Sequence, residues 1–304
     1  MLKDDVMSYL GLRHAVGYKA ETVAKRLKNF VTFAEGRGDQ VVYASTVREW
    51  AVLASSPQES RRRLLAVRRF ALSASAENPC HEVPAADALG RIRKERTAPY
   101  IFTADEIARL LQAAARMKPQ GSIRPVMYAT LFGLLAATGL RVSEALALKC
   151  KDITGDGMII RETKFKKSRL VPVHETTRGA LDAYLSVRNR HKVDDDAFFI
   201  SASGHAPAYK TVQDTFLRLA RSIGLRGESD RRRPRIHDLR HTFAVRSLES
   251  CGTDRDDVAR HTVALSTYLG HACVSDTYWY LEATPILTRQ IADACEALHQ
   301  GGAA

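Results

Sequence analysis

The stretch His237-Asp238-Leu239-Arg240 decides the fold and the chemistry of this chain, together with shorter motifs on either side of it. Downstream the chain reads LGH at 269–271 and has a tyrosine at 280, and upstream it reads TGLRVSE at 138–144. Arginine offers planar, permanently charged donors that match phosphate oxygens. Histidine can donate hydrogen bonds or transfer protons, and a tyrosine oxygen can attack phosphorus. These residue types together predict chemistry on a phosphodiester.

The order of these motifs resembles the tyrosine recombinase, or phage integrase, family. The chain has the arginine of TGLRVSE, then HxxR, then LGH, then a tyrosine nine residues after that histidine. The segment SDTYWYLEATP at 275–285 is similar to mobile-element recombinases of the recombinase-in-trio and TnpA-like groups. The resemblance implies a mainly α fold. It comprises an N-terminal helical, SAM-like core-binding domain and a mixed α+β catalytic domain with a small β-sheet.

The resemblance also implies a role for each motif residue. Arg141, Arg240 and His271 are expected to bind and stabilise the scissile phosphate, and His237 to assist proton transfer. Tyr280 is expected to attack, leaving a 3′-phosphotyrosine and a free 5′ hydroxyl. No metal or other cofactor is expected, because the covalent link keeps the energy of the broken bond. Taken singly, Arg141 could merely pair with the glutamate three residues on, and His271 could merely cap a helix.

A β-hairpin with a basic tip is predicted from apolar runs at 158–160 and 170–173. The family places an essential lysine in this hairpin, and Lys164 aligns with it, with Lys166 and Lys167 as close alternatives. A lysine with this reach can protonate the leaving 5′ oxygen. Lys166 and Lys167 are otherwise expected to contact DNA, and an ordinary solvent-exposed tip is the alternative for all three.

Two other interpretations of the motifs compete with this one. His237 and His241 form a relaxed HxxxH zinc pattern, but the sequence offers no third ligand and a dication would repel Arg240. His241 is therefore expected to support the site or to pack. Tyr278 could replace Tyr280 as the nucleophile. Two residues along a helix differ by a rotation of about 200°, so only one phenol can face the phosphate, and the spacing from LGH selects Tyr280.

The charge of the chain favours a polyanionic partner. The sequence has 46 Lys and Arg against 34 Asp and Glu, a net charge of +12. Residues 1–95 hold 16 basic and 11 acidic residues and the remainder holds 30 and 23, so both halves are basic. A ribosomal or heparin-like binder would share this balance. Five cysteines without a CxxC pair, no signal pattern and no apolar run of membrane length predict a cytoplasmic protein that does not enter membranes.

The expected domains are an N-terminal helical DNA-binding domain at 1–78, a linker at 79–99 and the catalytic domain at 100–304. Helical patterns in the first domain begin near Val6, Val23, Ser45 and Ser60, and Ser45 is the candidate N-cap of its helix. The last of these helices carries arginines at a spacing of seven, so they are predicted to form a basic stripe: Arg61, Arg62, Arg68 and Arg69. Such a stripe is often only a solvent-exposed face. The resemblance implies DNA contact here, because the last helices of the core-binding domain lie across DNA.

In the catalytic domain, Thr103 and Glu106 predict a capping box and residues 126–135 predict a buried helix. A short strand is predicted at 197–200, and helices at 209–223 and 286–298. The last helix is expected to dock on a neighbouring protomer or on its own domain. The resulting hypothesis is a site-specific recombinase acting on double-stranded DNA as a homo-tetramer or a hetero-tetramer with related recombinases, without a small-molecule substrate. A type IB topoisomerase and a DNA-binding accessory protein without strand exchange are the alternatives.

Overall fold

The computed structural model describes residues 2–18, 21–90, 99–161, 168–191, 193, 195–225, 233–251, 255–271, 273–278 and 280, together with 289, 292, 293 and 296. The chain divides into two compact units, Met1–Thr97 and Ala98–Ala304. Helices dominate both described parts, and one small sheet lies in the second unit, which agrees with the mainly α class predicted from the sequence. No helix among the described residues is long and apolar enough to cross a membrane.

The first unit is built from four described helices, α1 (Leu2–Ala15), α2 (Glu21–Glu35), α3 (Ala44–Val52) and α4 (Pro57–Glu77). Their apolar faces meet around Phe30, Trp50 and Phe70, each at most 2% exposed. The Trp50 indole donates to the Asn29 side chain at 2.8 Å, so the polar edge of this buried ring is satisfied. Side-chain burial against the other helices, rather than helix propensity, therefore stabilises these short elements.

The starts of α3 and α4 differ from the sequence predictions. Ser45 does not cap α3. The helix begins one residue earlier, and the backbone N–H of Ala44 donates to the carboxylate of Glu82 at 2.7 Å. A side chain 38 positions away thus replaces the local cap. Helix α4 starts before Ser60, because Ser56 accepts from the Glu59 N–H and a proline occupies the first turn.

The second unit contains the remaining described α-helices and strands, besides a short 3-10 helix at Cys150–Asp152. They are α5 (Ala104–Ala115), α6 (Ile123–Thr138), α7 (Val142–Leu146), β1 (Ile153–Thr154), β2 (Gly157–Ile160), β3 (Arg169–Val171), α8 (Glu175–Arg188), α9 (Tyr209–Ser222), α10 (Asp238–Glu249), α11 (Arg255–Leu269) and α12 (Ser275–Tyr278). The strands form an antiparallel sheet in the order β1-β2-β3. The predicted hairpin is confirmed, with Met158 opposite Val171 and Ile160 opposite Arg169. The capping box at Thr103 and Glu106 is also present.

The predicted strand at 197–200 is wrong. Only one isolated bridge joins Ala197 to Lys149, and the chain then bends. Phe198 and Phe199 are both fully buried and both rings pack against Tyr184. Successive side chains on a strand point to opposite faces, so two adjacent rings that enter the same core are incompatible with a regular ladder.

Helix α6 is the apolar axis of the second unit and supports the candidate site. Met127, Leu131 and Leu135 are each at most 1% exposed, and α5, α8 and α10 all pack against the helix. The HxxR motif lies at the start of α10, and the TGLR motif continues from the end of α6. Packing of α10 on α6 therefore brings together two motifs that are about a hundred residues apart in sequence.

Candidate active site

The TGLR motif forms the junction between α6 and α7. Gly139 ends α6 in the left-handed conformation with φ at 61°, and its N–H donates to the Leu135 carbonyl. A Cβ at this position would lie 2.5 Å from the Phe243 ring, so both the backbone and the packing require glycine. Two residues later, Arg141 is extended and precedes the first turn of α7. Its side chain therefore leaves the backbone at the start of α7.

Arg141 is held by a buried carboxylate. Its Nη1 donates to Glu144 Oε1 at 2.7 Å, and its backbone N–H donates to Glu144 Oε2 at 3.0 Å. Arg169 on β3 donates to the same carboxylate at 2.9 and 3.1 Å. Burial opposes the charge of Glu144, but the hydrogen bonds from Arg169 and Arg141 outweigh it and lower the pKa. The pairing of Arg141 with Glu144, considered from the sequence as an alternative to function, is thus part of the site's construction.

The LGH motif is the C-terminal turn of α11. Gly270 has φ at 65°, the His271 N–H donates to the Ser266 carbonyl, and the Gly270 N–H donates to the Thr267 carbonyl. These two bonds form a Schellman motif, which uses a glycine at the first position after the helix. The turn leaves the carbonyl oxygens of 268, 269 and 270 available to side chains.

Those three carbonyls each accept from a different arginine. Tyr268 accepts from Arg169 at 2.8 Å, Leu269 from Arg240 at 2.7 Å, and Gly270 from Arg141 at 3.0 Å. The C-terminus of a helix carries partial negative charge and stabilises cations. One helix end therefore gathers three guanidinium groups, two of which the sequence predicts to bind phosphate.

Arg240 is the most enclosed of these arginines, at 2% exposure. Its second terminal nitrogen donates to the Gly139 carbonyl at 2.7 Å, so it joins the ends of α6 and α11. Burial, followed by repulsion from Arg141, lowers the pKa of Arg240 to about 10. At neutral pH two adjacent positive charges thus remain, and an anion bound between them would relieve their repulsion.

His271 extends from the same turn toward the tyrosine. Its Nδ1 lies 2.7 Å from the hydroxyl of Thr277, a fully buried residue of α12. The ring is stacked on that of Tyr280, with centroids 6.2 Å apart and planes 20° apart. Burial, followed by the charges of Arg240 and Arg141, lowers the pKa of His271 to about 4. The imidazole is therefore neutral at physiological pH.

Tyr280 is buried at 3% exposure, in an apolar cluster with Val245 and Leu269. Its hydroxyl lies 3.0 Å from Nδ1 of His241. Burial raises the pKa of the phenol, and the charge and hydrogen bonding of Arg240 oppose this rise. Tyr278, the rival nucleophile, is 53% exposed. The two phenols thus have different surroundings, and of the two it is Tyr280 that packs against the histidines.

His237 lies immediately before α10 and is exposed. Its ring meets that of His241 edge to face, with centroids 4.7 Å apart. Neighbouring protein atoms that displace water from part of the His237 ring, followed by the charge of Arg240, lower the pKa of this histidine. Within the described residues, no three histidine, cysteine or acidic side chains form a group that could hold a metal ion. The carboxylate beside the pair, that of Asp238, is bound by Arg235 at 2.9 Å.

Five of the six expected catalytic residues thus lie in the candidate site of the second unit or at its edge: Arg141, His237, Arg240, His271 and Tyr280. The sixth, Lys164, lies outside the described residues, as do Lys166 and Lys167. The expected docking helix at 286–298 also falls almost wholly outside them. In the first unit, Arg61, Arg62 and Arg69 are exposed on α4, whereas Arg68 is half-buried and donates to the Pro84 carbonyl.

The sequence does not predict the contacts that three residues make in this site. His241 is expected there only to support or pack, yet its ring contacts both His237 and the Tyr280 hydroxyl. Glu144 and Arg169 form a bidentate pair across 25 positions. The i to i+4 spacing from His237 could have indicated His241 as a residue of the same helix face, but no sequence signal points to Arg169.

Comparison with known proteins gives the class of this enzyme. The model of the phage integrase family matches residues 101–285. The chain is 37% identical over 295 residues to the putative integrase/recombinase y4rB of Sinorhizobium fredii (strain NBRC 101917 / NGR234), covering 94% of each chain. It is 32% identical over 248 residues to the tyrosine recombinase XerD of Mycobacterium tuberculosis (strain CDC 1551 / Oshkosh), covering 78% of this chain and 74% of XerD.

Among solved structures, the Tn1549 transposon integrase in complex with transposon right end DNA matches with a TM-score of 0.69. It is 17% identical, and the match covers all of this chain and 99% of that one, so it supports the fold. The chain belongs to the phage integrase family. It is a site-specific tyrosine recombinase, an enzyme that cleaves and rejoins DNA strands.

Proposed function

We propose that this recombinase cleaves DNA through Tyr280 and moves or resolves a mobile element. The observation that carries the assignment is the end of α11, where consecutive carbonyls hold Arg240 and Arg141 beside His271. The Tyr280 ring stacks on that histidine. A phosphate bound to the two guanidinium groups would therefore lie next to the phenol.

The reaction follows from these positions. The Tyr280 oxygen forms a bond to the scissile phosphorus, and the bond from phosphorus to the 5′ oxygen breaks. Arg141, Arg240 and His271 stabilise the charge that develops on the phosphoryl oxygens. The phenolic proton leaves with the assistance of His237, and the 5′ oxygen takes up a proton from a general acid, for which Lys164 is our candidate. A second 5′ hydroxyl then reverses the step on another strand, so the result is exchange rather than hydrolysis.

The proposed partner is double-stranded DNA, with four recombinase subunits on two duplexes, either all of this chain or shared with related recombinases. Solved relatives of the same fold include a lambda integrase tetramer bound to a Holliday junction. The similarity to integrases supports a mobile element as the source of the sites. Because the substrate is DNA, we place the activity in the cytoplasm. The stripe of Arg61, Arg62 and Arg69 is proposed to contact the DNA backbone.

The test is to trap the covalent intermediate. A duplex taken from the DNA flanking the gene is nicked so that the short 5′-hydroxyl strand diffuses away after cleavage. The wild-type enzyme should form a denaturant-resistant adduct, and peptide mapping should find the nucleotide on Tyr280. Tyr280→Phe keeps the ring and should retain DNA binding without adduct.

Tyr278→Phe is the matched control and should leave adduct formation intact. A phosphotyrosyl link at position 278 would contradict the assignment. Relaxation of a supercoiled plasmid without joining of two sites would instead favour the topoisomerase alternative, because that reaction needs one duplex only.

A further inference from the structure

His241 is a second buried histidine at the nucleophile, and the mechanism above gives it no role. The residue is 8% exposed, and its Nδ1 lies 3.0 Å from the Tyr280 hydroxyl. The ring centroids are 5.4 Å apart. This distance between nitrogen and oxygen is that of a direct hydrogen bond, so the histidine acts on the attacking oxygen itself.

The surroundings of the ring determine which atom donates. Burial of the ring, followed by electrostatic repulsion from neighbouring ionisable groups, lowers the pKa of His241 to about 3. His237 and the guanidinium groups of Arg235 and Arg240 are the largest contributors to this repulsion. The neutral ring has one N–H and one lone pair. Its Nε2 faces the carboxylate of Asp238 at 3.9 Å, which attracts the proton to that nitrogen. Nδ1 therefore carries the lone pair, and the Tyr280 hydroxyl donates to it.

We propose that His241 is a positioning residue for the nucleophile: its Nδ1 accepts the Tyr280 hydrogen bond and thereby sets the direction of the attacking lone pair. The inference rests on the proposed role of Tyr280. A phenol can rotate its hydroxyl about the C–O bond, and this acceptor fixes one orientation. An oxygen with its proton directed toward α10 presents its lone pairs on the other sides, one of which Arg240 contacts.

The same surroundings argue against His241 as the base that keeps the proton. The His241 ring is buried and its pKa is lowered to about 3, further than that of the exposed His237, so the buried His241 imidazolium is the less favourable product of proton transfer from the phenol. The role of His241 is therefore orientation, and this can be distinguished from basicity. An asparagine places an amide oxygen near the position of Nδ1 and can accept the hydrogen bond, but it cannot take up a proton.

Cleavage should be measured under single-turnover conditions on the nicked duplex described above. His241→Leu removes the acceptor and should slow adduct formation by about 10²-fold without changing DNA affinity, since misplacement of a reacting group costs about that much. His241→Asn should restore the rate to within about tenfold of wild type. His241→Gln, which carries its acceptor near the Nε2 position, should remain slow. His261→Leu is the matched control, because that histidine of α11 lies 3.0 Å from the Ser247 hydroxyl and should leave the rate unchanged.

A DNA-free measurement keeps the proposal testable where a variant folds poorly. In the histidine nitrogen NMR spectrum of the full chain, His241 should appear as the neutral Nε2–H tautomer. The Nδ1 resonance of His241 can be assigned because it is absent from the spectrum of His241→Asn. Tyr280→Phe should shift this resonance. An Nδ1–H tautomer would overturn the proposal, since the ring would then donate.

The kinetic outcomes are equally decisive. A His241→Leu enzyme that forms adduct at the wild-type rate removes the positioning role while leaving Tyr280 as nucleophile. An asparagine variant as slow as the leucine variant also overturns it, because an acceptor alone would then be insufficient. A wild-type enzyme that forms no tyrosyl adduct at all would overturn both this inference and the proposed function.

Discussion

Replacement of Gly139 by alanine should destabilise the second unit strongly, because two costs act at this position. The residue has φ at 61°, where a Cβ costs about 1–2 kcal/mol. The new Cβ would also lie 2.5 Å from Phe243 Cδ1 and 3.1 Å from Leu269 Cδ2. Extra atoms in a packed site cost about 1–3 kcal/mol. The Phe243 ring is only half-buried and can shift in part, so we expect a total loss of about 2–4 kcal/mol.

Gly179→Ala is the matched control. Gly179 lies inside α8, where an added Cβ would meet no atom within 4 Å and the backbone has ordinary helical geometry. Alanine is about 0.5–1 kcal/mol more favourable than glycine in a helix interior, so this change should stabilise the protein. Glycine-to-alanine substitution is therefore expected to lower the free energy of unfolding of the second unit at position 139 and to raise it at position 179.

Hydrogen exchange under a urea series, followed by mass spectrometry of peptides from α6, α8 and α10, measures the second unit separately from the first. Gly139→Ala should lower the urea concentration at which α6 and α10 lose protection, and Gly179→Ala should raise it. Equal stability of the two variants would refute the argument from backbone and packing. Cleavage should also slow in Gly139→Ala, because the Gly139 carbonyl holds Arg240 at 2.7 Å.

Three further predictions use other measurements. His241 and His271 have folded pKa values of about 3 and about 4, below the value of about 6.5 expected when unfolded, so their stabilising contribution is lost as pH falls. Lowering the pH from 7 to 5 should reduce the free energy of unfolding by about 1–2 kcal/mol for each histidine, and His241→Asn should flatten the profile. Arg62→Ala and Arg69→Ala should each reduce the log–log salt slope of DNA binding by about 1, whereas Arg68→Ala should leave it unchanged. Cleavage should proceed unchanged in excess chelator, and loss restored by zinc would revive a metal role for the histidine pair.

Local patterns predicted most of the helices, and the resemblance to the family supplied the candidate residues of the site. The amphipathic spacing behind α4 and α9, the capping box of α5 and the glycine that ends α6 are all short-range signals, which a sequence displays directly. The LGH motif belongs to the same class. Its glycine and histidine occupy the two positions that close a Schellman turn, so a three-residue pattern determines where the side chain of His271 emerges.

Long-range partners could not be predicted in the same way. The cap of α3 comes from Glu82, and the carboxylate that holds Arg141 is shared with Arg169 on a strand. Neither contact leaves a periodicity in the sequence, because tertiary packing alone brings the groups together. The prediction of a strand at 197–200 is wrong for the same reason, because apolar composition indicates burial but does not determine hydrogen-bond partners.

The arginines of the site depend on the helix ends around them. Arg141 and Arg240 are like charges that repel each other, and one of them is almost fully buried. Such an arrangement is unfavourable unless something compensates it. The compensation consists of carbonyl oxygens at the ends of α6 and α11, together with the buried carboxylate of Glu144. The folded protein itself thus holds the two positive charges in place, so the proposed contact with the scissile phosphate needs little reorganisation.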